Sequence, residues 1–410
     1  MPNGQLRIAM LSVHSCPVGN LGTRETGGMS VYVREVAQEL GRRGHVVDIY
    51  TRVHDPRDRQ IIDLGCKARL IHLTAGGDDE LNKLAVYPCL PEFIANLEDF
   101  QTRNGLNYDL IFSHYWLSGC VGKYLQQLWH VPHVIMFHTL GAVKNALGIG
   151  EGESDLRLQM ERDLAQSCER IIAPTEREKE NLIRYYGASP ERIGVVPCGV
   201  SLGKFLPIDK NIARKQAGLA GDKIILYVGR IEPLKGIERL VRAVSFLPEI
   251  QGLRLVIIGG DDGNQHEIAE LQRLANDLRI QDSVTFSGLV RHEQLPYYYN
   301  AADVCVVPSY YESFGLVALE SLACGTPVVA TDVGDLKNII IQGETGYIVT
   351  GDNPRCLADK IALFIYGADG ATAPALSIRE SVIRFGWNKI TDAVLREIRM
   401  VHDDYLALVG

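Results

Sequence analysis

Short apolar, β-branched runs alternate with amphipathic stretches along nearly the whole chain, and that alternation restricts the fold more than any other feature. The strand-like runs are LRIAMLSV, VVDIYTRV, ARLIHL, YDLIFSHY, VPHVIMFH, RIIAPT and IGVVPCGV, then KIILYVG, LRLVIIGG, VTFSGLV, VCVVPSY, PVVATDV and GYIVTG. Such nearly unbroken apolar runs suit parallel strands buried on both faces. Helical patterns such as GGMSVYVREVAQELGRRG, GIERLVRAVSFL and EIAELQRLANDL separate them. The alternation predicts right-handed βαβ units, and its restart near residue 223 predicts two Rossmann-like, doubly wound parallel-sheet α/β domains in series, facing a central cleft. At 410 residues the chain also exceeds what one ordinary core serves. The Gly/Pro-punctuated stretch CGVSLGKFLPIDKN, residues 198–211, reads as the linker. This gives domains at 1–200 and 201–385 and a helical tail at 386–410, which Phe385 and Trp387 are expected to pack back across the first domain. Residues 52–107 are the least regular part.

Composition narrows the function classes. A net charge of −8 gives no support to nucleic-acid binding, and no apolar run is long enough to cross a bilayer. Nine cysteines, scattered without CxxC or Cys/His clustering, fit reduced thiols better than a disulfide framework or a zinc site. LRIAMLSV has no signal-peptide cleavage pattern, so a cytoplasmic location is expected. Adjacent acids at 78–79 and 261–262 sit in polar turns, and no DxD pair calls for a metal; no metal or resident cofactor is expected.

Ligands of doubly wound folds bind outside the carboxyl ends of the strands, and the chemically capable residues cluster there. The loop GTRETGGMS carries Gly27 and Gly28 ahead of a helix N-terminus, an arrangement that admits phosphate as readily as it serves tight packing. In GRIEPLKG, Arg230 and Lys235 follow a strand, and Pro233 and Gly236 set the turn; the pair suits a diphosphate, or an ordinary exposed basic turn. Glu312 and Glu320, separated by seven residues, are expected just before a helix and two turns into it, roughly 12 Å apart at ~1.5 Å per residue. That span matches the distance from the sugar to the ribose of a nucleotide diphosphate sugar. The plainer alternative is a helix-starting acid and a solvated one. The amides of Ser313, Phe314, Gly315 and Leu316 open the same helix, with Leu316, Val317 and Leu319 expected to face the core. His138 closes a strand, where it is either a satisfied core histidine or a hydrogen-bonding partner of the transferred group. Lys83, Tyr115, Thr139 and Arg157 are scattered, and spacing alone does not group them.

In this order, GRxxxxKG and E-x7-E resemble the retaining glycosyltransferases of family 4, which have the GT-B fold, and the likeness runs over nearly the whole chain. The resemblance implies a catalytic set of His138, Arg230, Lys235 and Glu312, with Arg230 and Lys235 on the donor diphosphate and Glu312 on the sugar. It further implies Glu320 on the ribose, Gly28 against the phosphates, and Val290 and Arg291 against the nucleobase. The segments SVHSCPVGNLGTRETGGMSVYV, YDLIFSHYWLSG and HTLGAVKNALG are similar to the branch that glycosylates inositol phosphate in mycothiol synthesis. In that branch a Lys, a Tyr, a Thr and an Arg hold the acceptor phosphate; Lys83, Tyr115, Thr139 and Arg157 stand at the matching positions. GGMS in place of GGMN and FHTLG in place of AHTLA depart from that pattern on the acceptor side. The expected function is therefore transfer of a hexosyl unit (GlcNAc or glucose) from a UDP-sugar to a small phosphorylated acceptor, inositol-phosphate-like. The resemblance also allows a homodimer. Alternatives are a sucrose-phosphate-synthase-like enzyme using fructose 6-phosphate and a catalytically silent sugar-nucleotide sensor.

Overall fold

A computed structural model describes residues 4–19, 27–77, 81–219, 223–248, 252–260, 262–367 and 373–409. Residues 22–26 of the glycine-rich loop, the acids at 78–79 and residue 261 lie outside the described residues. The first sheet contains β1 (Arg7–Leu11), β2 (Val46–Arg52), β3 (Ile61–Gly65), β4 (Ala68–Leu73), β5 (Leu110–His114), β6 (His133–Met136), β7 (Arg170–Ala173) and β8 (Ile193–Val195), in the order β3-β4-β2-β1-β5-β6-β7-β8. The second contains β9 (Lys223–Val228), β10 (Leu253–Ile258), β11 (Val284–Gly288), β12 (Val304–Val307), β13 (Val328–Thr331) and β14 (Gly346–Val349), in the order β11-β10-β9-β12-β13-β14. The apolar runs are buried because helices cover both faces of each sheet: β1, β5, β9 and β12 consist almost wholly of buried residues. Two parallel-sheet α/β domains result, the GT-B architecture.

One strand departs from the all-parallel expectation. β3 pairs antiparallel with β4 at the sheet edge, through a turn in which Gly65, Cys66 and Lys67 all have positive φ. Asn-Gly or Asp-Gly usually announces such a hairpin, and Cys-Lys does not. The turn instead rests on the helix Gly28–Arg42, where a side chain at Gly41 would fall 1.6 Å from the Cys66 carbonyl oxygen.

The strand order reverses direction between β1 and β5 in one sheet and between β9 and β12 in the other. Crevices open at such points because successive connections leave on opposite sides. The loops after β1, β5, β9 and β12 carry Gly28, Tyr115, the Arg230–Lys235 turn and the Ser309–Glu312 loop. Topology thus collects into one place residues that lie as far apart in sequence as Gly28 and Glu312.

The chain passes between the domains twice at neighbouring points, where Val200 N–H donates to the Phe385 carbonyl at 2.8 Å. Phe385 packs edge-on to Phe314 of the second domain, with ring centres 6.1 Å apart. Trp387, two residues later, packs edge-on to Tyr32 of the first domain at 5.6 Å. The helix Trp387–Val409 then runs along the first domain, pairing Asp392 with Arg43 at 2.6 Å and Glu397 with Arg170 at 2.5 Å. Among the described residues no helix is long and apolar enough to cross a membrane.

The Trp387 indole lies over Gly199, where an added Cβ would meet Cε3 at 2.5 Å. Gly199→Ala is therefore expected to cost about 1–3 kcal/mol through overpacking. Gly203→Ala, where a Cβ meets nothing within 4 Å, is the control and should leave the melting temperature nearly unchanged. Equal melting temperatures for the two variants would contradict this packing account.

Candidate active site

The turn after β9 is held against the loop after β12. Gly236 has φ 64°, and a Cβ on it would lie 2.3 Å from the Pro308 carbonyl oxygen, so the two backbones approach this closely only with glycine there. Tyr310 N–H donates to the Leu234 carbonyl at 2.8 Å and fastens the pair. Lys235 is thereby delivered to Glu312, whose Oε1 accepts from Lys235 Nζ at 2.6 Å and from Ser309 Oγ at 2.8 Å. Arg230 lies 3.0 Å from Glu232, and its carbonyl accepts from the Tyr227 hydroxyl at 2.9 Å. Burial works to raise the Glu232 carboxyl, but Arg230 and then Lys235 outweigh it and hold the group below its ordinary range.

Glu320 is buried, not solvated. The helix Leu316–Ala323 begins four residues after Glu312, so Glu320 lies little more than one turn in rather than two. His292 Nε2 is 2.9 Å from its Oε1, and the Tyr299 hydroxyl donates to its Oε2 at 2.8 Å. A buried carboxylate needs such partners, since each unpaired oxygen would cost its full desolvation.

The first domain supplies the opposite wall. Arg157 is 2% exposed, in the helix Asp155–Ser167. Its Nε donates to Glu161 at 2.7 Å, one terminal nitrogen pairs with Glu153 at 2.7 Å, and the other donates to the Thr139 carbonyl and Oγ1 at 3.0 Å each. The Tyr115 ring lies between two cations, with Arg157 at 4.8 Å and Lys83 Nζ at 5.9 Å from its centre. Lys144 Nζ joins the group through Glu153 at 2.7 Å. His138 Nε2 is 2.9 Å from His114 Nδ1, and burial pulls the His138 imidazole down to about 3, so it is neutral. Tyr115 and His138 both hold left-handed backbone conformations, φ 75° and 62°. Non-glycine residues carry that cost only where the surroundings over-determine it, and such positions concentrate at functional sites.

The two walls enclose a cleft of about 280 Å³. They touch where Gly28 faces Leu316 closely enough that a Cβ would fall 2.9 Å from Cδ1. They touch again where Leu140 N–H donates to the Tyr311 hydroxyl at 3.3 Å, and where Arg177 pairs with Asp332 at 3.0 Å.

His138, Arg230, Lys235, Glu312, Glu320, Gly28, Val290 and Ser313 through Leu316 all line this cleft, as do Lys83, Tyr115 and Thr139. Arg157 stands directly behind Tyr115 and Thr139. Arg291 is exposed and outside the lining, where Leu289, Val290 and His292 take its place. Leu316 and Val317 are half-buried, packed against the core as expected while also lining the cleft, and Leu319 is fully buried. Thr139 lies just before Leu140, the cap of the helix Gly141–Leu147, and its hydroxyl accepts from Arg157. Sequence reasoning missed Lys144, Glu232, His292 and Tyr311, and passed over His114. Glu232 lies in GRIEPLKG, Lys144 in HTLGAVKNALG and His114 in YDLIFSHYWLSG, segments that the sequence had already marked.

Two doubly wound domains facing each other across a cleft lined with paired cations and carboxylates define a glycosyltransferase of the GT-B class. Residues 26–204 match Glycosyltransferase Family 4, and residues 209–372 match Glycosyl transferases group 1. A D-inositol 3-phosphate glycosyltransferase from Xylanimonas cellulosilytica is 38% identical over 95% of each chain. Another, from Mycobacteroides abscessus, is 40% identical over 98% of this chain and 90% of its own. The solved sucrose-phosphate synthase of Thermosynechococcus elongatus superposes with a TM-score of 0.89 at 35% identity, over 98% of this chain and 100% of its own. The chain belongs to this glycosyltransferase family.

Burial also sets the pH dependence of stability. It lowers His138 and His133 to about 3 and His54 to about 4, and holds His14 and His114 well below the ordinary 6.5. Below pH 6.5 the unfolded chain binds protons that the folded one refuses. Stability is therefore lost as pH falls from about 6.5 toward 3, by about 1.4 kcal/mol per unit for each such imidazole. Glu178, raised to about 8 by burial, works the other way: its contribution is lost as pH rises from 4.5 to 8. Five imidazoles outweigh one carboxyl below pH 6.5. Urea midpoints measured from pH 4.5 to 8 should peak near pH 6.5; a flat profile between pH 5 and 6.5 would contradict the neutral buried histidines.

Proposed function

We propose that the protein is a retaining hexosyltransferase that moves GlcNAc or glucose from a UDP-sugar to a small phosphorylated acceptor of the inositol-phosphate kind. The observation that carries this reading is the gathering of Lys83, Tyr115 and Thr139 on one wall, backed by Arg157, opposite Arg230, Lys235 and Glu312 on the other. Two separated cationic centres suit a reaction with phosphate on both substrates. In this reading Arg230, Lys235 and the amides opening Leu316–Ala323 take the charge that grows on the leaving diphosphate. Glu312 holds hydroxyls of the sugar, and neutral His138 hydrogen-bonds beside it.

The bond from the sugar C1 to the diphosphate oxygen breaks as the acceptor oxygen bonds C1 on the same face. The acceptor proton passes to the departing phosphate oxygen. This chemistry asks the protein for positioning and electrostatic stabilisation, and for no metal ion or resident cofactor. A cytoplasmic enzyme, with a homodimer allowed by the family resemblance, completes the reading. The inositol 3-phosphate glycosyltransferases among the relatives support the inositol-phosphate acceptor. The 0.89 TM-score with a sucrose-phosphate synthase favours fructose 6-phosphate as the second reading.

A donor-by-acceptor assay of nucleoside diphosphate release separates these readings. UDP-GlcNAc, UDP-glucose, GDP-mannose and ADP-glucose are each offered with inositol phosphate, fructose 6-phosphate and their unphosphorylated parents. Release confined to phosphorylated acceptors is expected. Release with the parent compounds alone contradicts the reading, and no release despite tight donor binding favours a silent sensor. Lys235→Ala is expected to cut turnover by ~10²-fold or more with an unchanged melting temperature, the scale of losing one transition-state electrostatic partner. A wild-type rate in that variant would contradict the donor assignment.

A further inference from the structure

Glu320 does not stand alone at its end of the cleft. His292 contacts it through Nε2 at 2.9 Å, and on the far side of the ring Lys204 Nζ lies 3.2 Å from Nδ1. An ammonium only donates, so Nδ1 is the acceptor and the ring proton sits on Nε2, where it donates to the carboxylate. Lys204, His292 and Glu320 thus form a directional chain, with the Tyr299 hydroxyl at 2.8 Å on the other carboxylate oxygen.

Lys204 belongs to neither sheet. It lies in the segment joining the two domains, between β8 and the helix that starts at Lys210. The next residue, Phe205, sets its ring edge-on to both His292 and Tyr299, at 5.3 and 5.9 Å. Arg379 then ties the segment to the end of the Glu320 helix, donating to the carbonyls of Leu202 and Ala323 at 2.7 Å each. The interdomain segment therefore forms one wall around the Glu320 carboxylate.

We propose that Lys204 and His292 are positioning residues that orient Glu320 for the donor ribose, and so make donor binding depend on the conformation of the interdomain segment. The proposal rests on the reading that Glu320 accepts from the ribose hydroxyls. It deepens that reading by adding residues that act through Glu320.

The test is calorimetric binding of UDP and of ADP, each beside its 2′,3′-dideoxy counterpart, so that neither the base nor turnover decides the result. For wild type, loss of hydroxyls bonded to a carboxylate should weaken binding by roughly 10- to 100-fold. Glu320→Gln should abolish most of that ratio. Lys204→Met and His292→Phe should each reduce it at least ~5-fold, a fraction of one charge-assisted hydrogen bond, while the affinity of Lys204→Met for the dideoxy compounds holds within ~2-fold. His292→Gln, which keeps an N–H, should restore part of the ratio, which a merely structural role for the ring would not produce. A ratio lost in Glu320→Gln but intact in both Lys204→Met and His292→Phe overturns the proposal and spares the ribose assignment. A ratio absent in wild type, or intact in Glu320→Gln, overturns the ribose assignment and the proposal with it.

Discussion

The buried Glu161 carboxylate organises the first-domain wall. It accepts from Arg157 Nε at 2.7 Å, from Gly141 N–H at 2.9 Å and from the Tyr186 hydroxyl. A fully buried charge persists only when it is paired and hydrogen-bonded, so these partners are obligatory. Through Arg157 the carboxylate fixes Thr139 and the face of Tyr115; through Gly141 it fixes the loop that carries His138. Leu140, in that loop, is the residue that meets Tyr311 across the cleft. One acid thereby sets the first-domain wall, the His138 loop and a contact between the domains.

The second-domain wall obeys a different logic. Its anchor is backbone proximity at Gly236, which brings a cation-bearing turn to a carboxylate-bearing loop, and the Lys235–Glu312 contact follows from that. Lys235 and Glu312 are both part-exposed to the cleft, so an incoming donor can redistribute their contacts at little desolvation cost. Arg157, buried and held by Glu161, Glu153 and Thr139, stays fixed. The first-domain wall is rigid by charge pairing, and the second-domain wall is adaptable at its tip and rigid at its base, where Tyr299, His292 and the interdomain segment enclose Glu320. Both properties suit the proposed reaction, in which the leaving diphosphate changes charge while the acceptor phosphate does not.

Much of this was legible in the sequence because parallel strands buried on both faces leave near-continuous apolar runs. Those runs marked every strand except β3, and the loops that follow them contained most of the cleft lining. β3 escaped because its turn depends on Gly41 of a distant helix rather than on its own residues. The depth at which Glu320 lies was misjudged because a seven-residue spacing does not reveal where a helix begins. Lys83, Tyr115, Thr139 and Arg157 were brought together by family resemblance alone: their convergence is a property of strand order, which local patterns do not encode. The chain from Lys204 to Glu320 was invisible for the same reason. So were the left-handed conformations of Tyr115 and His138, since nothing in the residue type announces a strained backbone.

The central claim is that the two walls serve different substrates, and the Lys83→Met variant tests it most directly. Its affinity for a phosphorylated acceptor and for UDP should be measured side by side. The account predicts that acceptor binding weakens by roughly 10-fold or more, the scale of one charge-assisted contact, while UDP affinity stays at the wild-type value. Equal losses for both ligands, or a loss confined to UDP, would contradict it.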